Sequence, residues 1–100
     1  MRRELEQAFL RRREGRYEAL LVIERESGAR ERTTVVLGSD DPRAASRALG
    51  RQVARAGLAD DTSGVRLRVE RGGDLVDDTA LAELLTAAFE EERRRGGDAS

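Results

Sequence analysis

The chain has 100 residues, enough for one small domain, and its 19 basic and 20 acidic residues leave a net charge of −1. This balance favours neither a polyanion nor an anionic membrane as a partner. There is no Cys, His or Lys, so the chain lacks a thiolate nucleophile, an imidazole base, a Schiff-base amine and any nitrogen or sulfur ligand for a metal. We therefore expect a protein that is not an enzyme, with no catalytic residues, no metal and no cofactor.

The first predicted element is a helix over residues 2–13. Ala8 and Phe9 lie three and four residues after Leu5, which places all three on one side of a helix among charged neighbours. Gly15 is expected to end this helix.

Two strands are predicted next, over residues 16–27 and 29–38, joined as a hairpin with its turn near Gly28. Side chains alternate along a strand, so the first of these two strands is apolar on both faces: Ala19, Leu21 and Ile23 on one, Leu20 and Val22 on the other. Both faces need cover. The second face is expected to pack against the N-terminal helix or against a second copy of the protein, which makes a homodimer plausible.

The segment SDDPRAASRALGRQVARAG predicts a helix. Asp40 or Asp41 suits its N-cap, Pro42 its first turn and Gly57 its end. Gly50 in the interior costs about 1 kcal/mol relative to Ala, and we interpret it as permitting close backbone packing.

The remaining residues predict a strand, a turn and a helix. Residues 65–70 alternate strictly between apolar and charged, and Gly72-Gly73 allows a short hairpin with Leu75 and Val76. The last helix is expected to start at residues 77–79 and to end before Gly96. The predicted fold is α+β, a single domain over residues 1–95 in the order α-β-β-α-β-(β)-α, with a hairpin and further strand or strands packed against helices. Residues 96–100 are predicted to be a flexible tail.

The stretch GLADDTSGVRLRVERGGDLVDDTALAELL, after a hairpin and a helix that ends in glycine, resembles the ubiquitin-like β-grasp family over residues 16 to 81. RRRGG is similar to the Arg-Gly-Gly end of that family. The resemblance implies an interaction or regulatory module. The chain departs from the family where LTAAFEEERRR replaces the last central strand and where Asp98 follows Gly97, so Gly97 is not implied to be a conjugation terminus.

Three acidic pairs, at residues 40–41, 60–61 and 77–78, favour helix caps at the first and third positions. Paired carboxylates also suit Mg²⁺, and a carboxylate-metal hydrolase is the third functional hypothesis. It requires Asp60 and Asp61 to converge with another pair.

Arginines recur every four residues along the central predicted helix. Nucleic-acid binding by these helix arginines and two strand arginines is the alternative functional hypothesis. The candidate nucleic-acid contacts are Arg43, Arg47, Arg51, Arg55, Arg66 and Arg68. A solvated helix face explains the same pattern.

The leading hypothesis is a protein–protein interaction or adaptor module that self-associates or belongs to a larger assembly. Candidate interface residues, each of which also suits a core, are Phe9, Leu10, Leu84, Leu85 and Phe89. No membrane is expected as a partner, because no stretch approaches the roughly 18 apolar residues of a spanning helix. The start of the chain does not read as a signal peptide and cysteine is lacking, so the expected location is cytoplasmic.

Overall fold

The computed structural model describes the backbone of residues 3–98 and the side chains of residues 4–96. Its elements, in chain order, are β1 (Arg3–Arg13), β2 (Arg16–Arg25), β3 (Arg30–Val36), α1 (Pro42–Arg55), β4 (Arg66–Arg71), β5 (Asp74–Asp77) and α2 (Thr79–Asp98). The strands form one five-stranded sheet in the order β3-β2-β1-β4-β5. β1 runs antiparallel to β2 and parallel to β4, so the sheet is mixed. The predicted α+β class is confirmed.

The N-terminal segment is the central strand of this sheet, so the predicted helix is wrong over residues 3–13, and residue 2 lies outside the described residues. A bulge interrupts the register of β1 between Leu5 and Gln7. The extra residue of a bulge shifts the side-chain alternation, so Leu5 and Ala8 both face the core although they are three residues apart. This spacing also fits one helical turn, which explains the error.

Two tight turns join the first three strands. Glu14 and Gly15, between β1 and β2, have φ angles of 54° and 80°, as a two-residue hairpin turn requires. The predicted hairpin of β2 and β3 is confirmed, with Gly28 at φ 87° and its N–H donating to the carbonyl of Arg25 over 2.8 Å.

The central helix, α1, has the caps predicted for it. The Asp41 carboxylate accepts a hydrogen bond from the Ala44 N–H over 3.1 Å, and Pro42 is the first helical residue. The chain leaves the helix through Gly57 at φ 63°. Gly50 lies against the backbone of α2, so its predicted role in close packing is confirmed.

The second half of the chain adds the other edge of the sheet and the second helix. β4 and β5 form the short hairpin predicted around Gly72 and Gly73. Asp78 caps α2 by accepting from the Leu81 N–H over 3.0 Å. α2 continues through Gly96 to Asp98, so the predicted helix end and the start of the predicted tail are displaced. Residues 99 and 100 of that tail lie outside the described residues.

One hydrophobic core lies between the two helices and one face of the sheet. Its residues are Leu5, Ala8, Leu10, Tyr17, Ala19, Leu21, Ile23, Ala45, Leu49, Val53, Ala59, Leu67, Val69, Leu81, Leu85 and Phe89. In the described part of the chain, neither helix combines the length and apolar character needed to cross a bilayer.

Candidate functional site

The helices cover only one face of the sheet. In β2, for example, Leu21 and Ile23 point into the core while Leu20 and Val22 point to the other side, and only the first two belong to the core cluster. We call the second side the open face. It carries, strand by strand, Gln7, Phe9 and Arg11; Glu18, Leu20, Val22 and Glu24; Arg30, Arg32, Thr34 and Val36; Arg66, Arg68 and Glu70; and Leu75 and Asp77.

The centre of the open face is apolar. Phe9 on β1 is paired directly with Leu20 on β2, and Val22 lies next to Leu20 on the same face, two residues along the strand. All three are half-buried in the isolated chain. Part of this shielding comes from an arginine, because the Arg68 guanidinium lies 6.0 Å from the centre of the Phe9 ring. Arginine stems can cover apolar surface while the charged group stays in water.

A shallow groove of about 620 Å³ runs across this centre. Its apolar wall includes Phe9, Leu20 and Val22, together with Leu75 of β5, which is 50% exposed. The charged residues that line it are Glu6, Arg11, Arg30, Arg32 and Glu70. The groove therefore has an apolar middle and a rim with charges of both signs.

Ion pairs within the chain hold part of this rim. Arg11 donates to Glu18 over 3.1 Å, and Arg13 approaches the same carboxylate at 3.9 Å. Glu18 is only 7% exposed, so the arginines compensate a largely desolvated charge. Arg30 pairs with Glu6 over 3.4 Å. These charges are already satisfied before any partner binds.

Two charged residues of the groove differ from the rest. Arg32 on β3 and Glu70 on β4 line the groove, yet among the described residues neither forms an ion pair or a side-chain hydrogen bond. They lie on opposite sides of the apolar centre, because β2 and β1 separate β3 from β4. They are the charges available to an incoming surface.

At one end of the open face the carboxyl groups of Glu6 and Glu24 are close neighbours. Hydrogen bonding with the Glu6 carboxyl, and repulsion from its negative charge, raise the pKa of the Glu24 carboxyl above its ordinary value. Two carboxylates that share a site resist ionising together. This end of the face therefore accepts a proton more readily than an isolated glutamate does.

The structure separates the candidate interface residues. Phe9 lies on the open face, whereas Leu10, Leu85 and Phe89 are fully buried core residues and offer no surface to a partner. Leu84 is half-buried and packs against the core. The reason is the strand geometry of β1, which sends Phe9 and Leu10 to opposite faces, and the packing of α2 against both α1 and the sheet.

The sequence predicts Leu20 and Val22 to be apolar residues in need of cover, and the predicted alternation is confirmed. The sequence does not place them in a site, because the predicted cover is either an N-terminal helix, which is in fact β1, or a second copy of the protein. Arg32, Glu70 and Leu75 were missed. Their strand positions were predicted, but the pairing that brings β3 and β5 to the two sides of one groove is non-local.

The candidate nucleic-acid contacts do not form one surface. Arg43, Arg47, Arg51 and Arg55 lie on α1, on the helical side of the molecule, whereas Arg66 and Arg68 lie on the open face. Arg55 pairs with Glu92 over 3.3 Å, and Arg66 and Arg68 pair with Asp77 over 3.0 and 3.3 Å. The hydrogen bond from Arg66 lowers the pKa of the Asp77 carboxyl.

The acidic pairs are used locally. Asp41 and Asp78 cap helices, as predicted, and Asp61 accepts hydrogen bonds from the N–H and the hydroxyl of Ser63, which lower the pKa of its carboxyl. Arg93 donates to the carbonyl oxygen of Asp60. Within the described residues no group of three or more acidic side chains is arranged to hold a metal ion.

The fold and the open face define a small α+β protein whose mixed sheet is covered by helices on one side. No protein-family model, no curated protein and no solved structure matches the chain. The resemblance to the β-grasp family therefore stays a prediction.

Proposed function

We propose that this protein is a non-catalytic protein–protein interaction module that binds its partner on the open face of the sheet. The observation that carries the proposal is the contiguous apolar centre formed by Phe9, Leu20 and Val22, which no described helix covers. A sheet that keeps one face in water normally places polar side chains there. Apolar residues at the centre of such a face indicate a surface that is buried in a complex.

The layout of the face supports the same conclusion. An apolar centre surrounded by a polar rim is the ordinary anatomy of a protein interface. Burial of the centre contributes about 25 cal/mol for each Å² of apolar surface removed from water, and part of this gain offsets the freedom lost on association. The rim pair of Arg11 and Glu18 is already formed, so these two charges need no rearrangement when a partner docks.

The proposed compartment is the cytoplasm. The support is the lack of cysteine, because small domains in oxidising compartments are often held together by disulfides.

A capture experiment tests the proposal. Tagged wild-type protein is compared with a Leu20→Asp variant, which places a charge in the apolar centre, and with a Gln52→Asp control on the exposed side of α1. Nuclease treatment removes associations through nucleic acid, and circular dichroism checks that each variant is folded. We expect a stoichiometric protein companion, which can be an untagged copy of the chain, to survive nuclease and Gln52→Asp but to be lost with Leu20→Asp.

The opposite pattern overturns the proposal. If the companion binds Leu20→Asp as well as the wild type, the open face is not the binding surface. If the only companion is nucleic acid that disappears with nuclease, the arginine-dependent alternative replaces the interaction module.

A further inference from the structure

We infer that the partner on the open face is a second copy of this chain, bound face to face about a two-fold axis that passes between Leu20 and Phe9. The inference rests on the proposed function, because it identifies the partner of the same surface. It is carried by the charges of the groove and by the strand register that positions them.

The groove is electrostatically self-complementary. Its rim contains three arginines and two glutamates, so a partner with charges of a single sign does not match it. Arg32 and Glu70, which have no ion pair among the described residues, are opposite in sign. In a two-fold interface every contact occurs twice, with the roles of the two copies exchanged. One arginine and one glutamate on the same face can therefore form two equivalent pairs, Arg32 with Glu70 of the second copy and Glu70 with its Arg32.

The strand register locates the axis that exchanges these two residues. Arg32 is level with Val22 and therefore with Gln7 of β1. Glu70 follows Val69, the partner of Leu10, and is therefore level with Arg11. The midpoint between the two charges falls on the row at which Phe9 pairs with Leu20, in the space between β1 and β2. An axis through this point brings the apolar centres of both copies together.

The same register predicts how the two sheets cross. Arg32 and Glu70 are three strand spacings apart across the sheet, about 14 Å, and four residues apart along it, about 13 Å. The line that joins them is thus inclined by about 45° to the strands. A two-fold axis that lies in the interface, perpendicular to this line, therefore makes the strands of the two copies cross at about 90°. Orthogonal packing is one of the two common ways in which sheets stack.

The open face is large enough for a stable dimer. Five strands at about 4.8 Å spacing, with an average length of about 25 Å, cover roughly 600 Å² of flat surface. Two copies whose open faces overlap completely therefore bury about 1,200 Å², above the roughly 1,000 Å² expected of a specific interface.

Two complementary charge reversals test the inference. We expect the wild-type chain to be a dimer in analytical ultracentrifugation. Arg32→Glu and Glu70→Arg, each alone, place like charges opposite each other twice per dimer and should weaken self-association at least about tenfold. A one-to-one mixture of the two variants restores both opposite-charge pairs, and we expect it to form a heterodimer of wild-type strength. Arg43→Glu, an equal change of charge on α1, is the control and should leave the dimer unchanged.

The mixing step separates a contact between copies from an effect within one chain, because a fold damaged by either reversal is not repaired by adding the other variant. A wild-type chain that stays monomeric to millimolar concentration overturns the inference. A dimer that tolerates both reversals, or variants that fail to associate when mixed, also overturns it.

These outcomes are distinct from failure of the proposed function. A monomeric chain that captures a different protein, and loses it with Leu20→Asp, keeps the open face as a binding surface and removes only the second copy as its partner.

Discussion

Gly50 in α1 lies directly against the main-chain carbonyl of Leu85 in α2. A Cβ placed on Gly50 collides with that oxygen and comes within 3.0 Å of the Phe89 nitrogen. The obstacle is backbone, which cannot rotate away as a side chain does. The absence of a side chain at this one position therefore sets how closely the two helices approach, and with it the position of α2 over the sheet.

The first prediction concerns this contact. Gly50→Ala should destabilise the fold by about 1 to 2 kcal/mol net. The helices must separate to accept the methyl group, at a cost near the upper end of the usual range, about 2 to 3 kcal/mol, and the gain in helix propensity offsets only about 1 kcal/mol of it. Urea unfolding measures the change. Gly64→Ala is the control, since a Cβ there meets no atom within 4 Å. Equal stability of Gly50→Ala and the wild type would contradict the close helix contact.

A second prediction follows from the hydroxyl of Ser46, which is fully buried in α1 without a hydrogen-bond partner among the described residues. An unsatisfied buried polar group costs about 1 to 3 kcal/mol. Ser46→Ala should therefore leave the free energy of unfolding unchanged or raise it. Ser39→Ala should lower it, because the Ser39 hydroxyl accepts from the Asp41 N–H over 3.1 Å. A large loss in Ser46→Ala would reveal a bond that the structure lacks.

A third prediction uses the carboxylate pair of Glu6 and Glu24. Because the pKa of Glu24 is raised in the folded chain, folding loses stability as the pH rises through that pKa. Glu24→Gln should raise the melting temperature at pH 7, and the gain should disappear below the ordinary pKa of glutamate. Glu26→Gln removes an exposed carboxylate near the next turn and is the control. A gain that does not depend on pH would point to a cause other than repulsion.

The fourth prediction concerns Asp77, whose pKa is lowered by hydrogen bonds and charge from Arg66 and Arg68. A lowered pKa means that the carboxylate stabilises the fold above the ordinary pKa of aspartate and that this contribution is lost as the pH falls through the folded value. Asp77→Asn should lower the melting temperature at pH 7 and have little effect in strong acid. Asp74→Asn, on the same strand, is the comparison; equal effects of both changes would argue against the ion pair.

Much of the local structure was accessible from sequence because its causes are local. The caps at Asp41 and Asp78, the turn at Gly28 and the alternation of β4 each depend on residues within a few positions of one another. Even the role of Gly50 was inferred correctly, since a glycine inside a good helix has a cost that packing must offset.

The sequence by itself determined an α+β domain with a doubly apolar strand, because alternation, caps and turns are properties of neighbouring residues. Only the tertiary structure decided that residues 3–13 form the central strand, since a bulge and pairing on both edges override a local pattern with helical spacing. It also decided that Leu10, Leu85 and Phe89 belong to the core and that Phe9, Leu20, Arg32 and Glu70 share one surface. Which residues lie in the core and which share the open face depends on contacts between residues distant in the chain. The free energy that favours this arrangement comes from burying apolar side chains along the whole sheet.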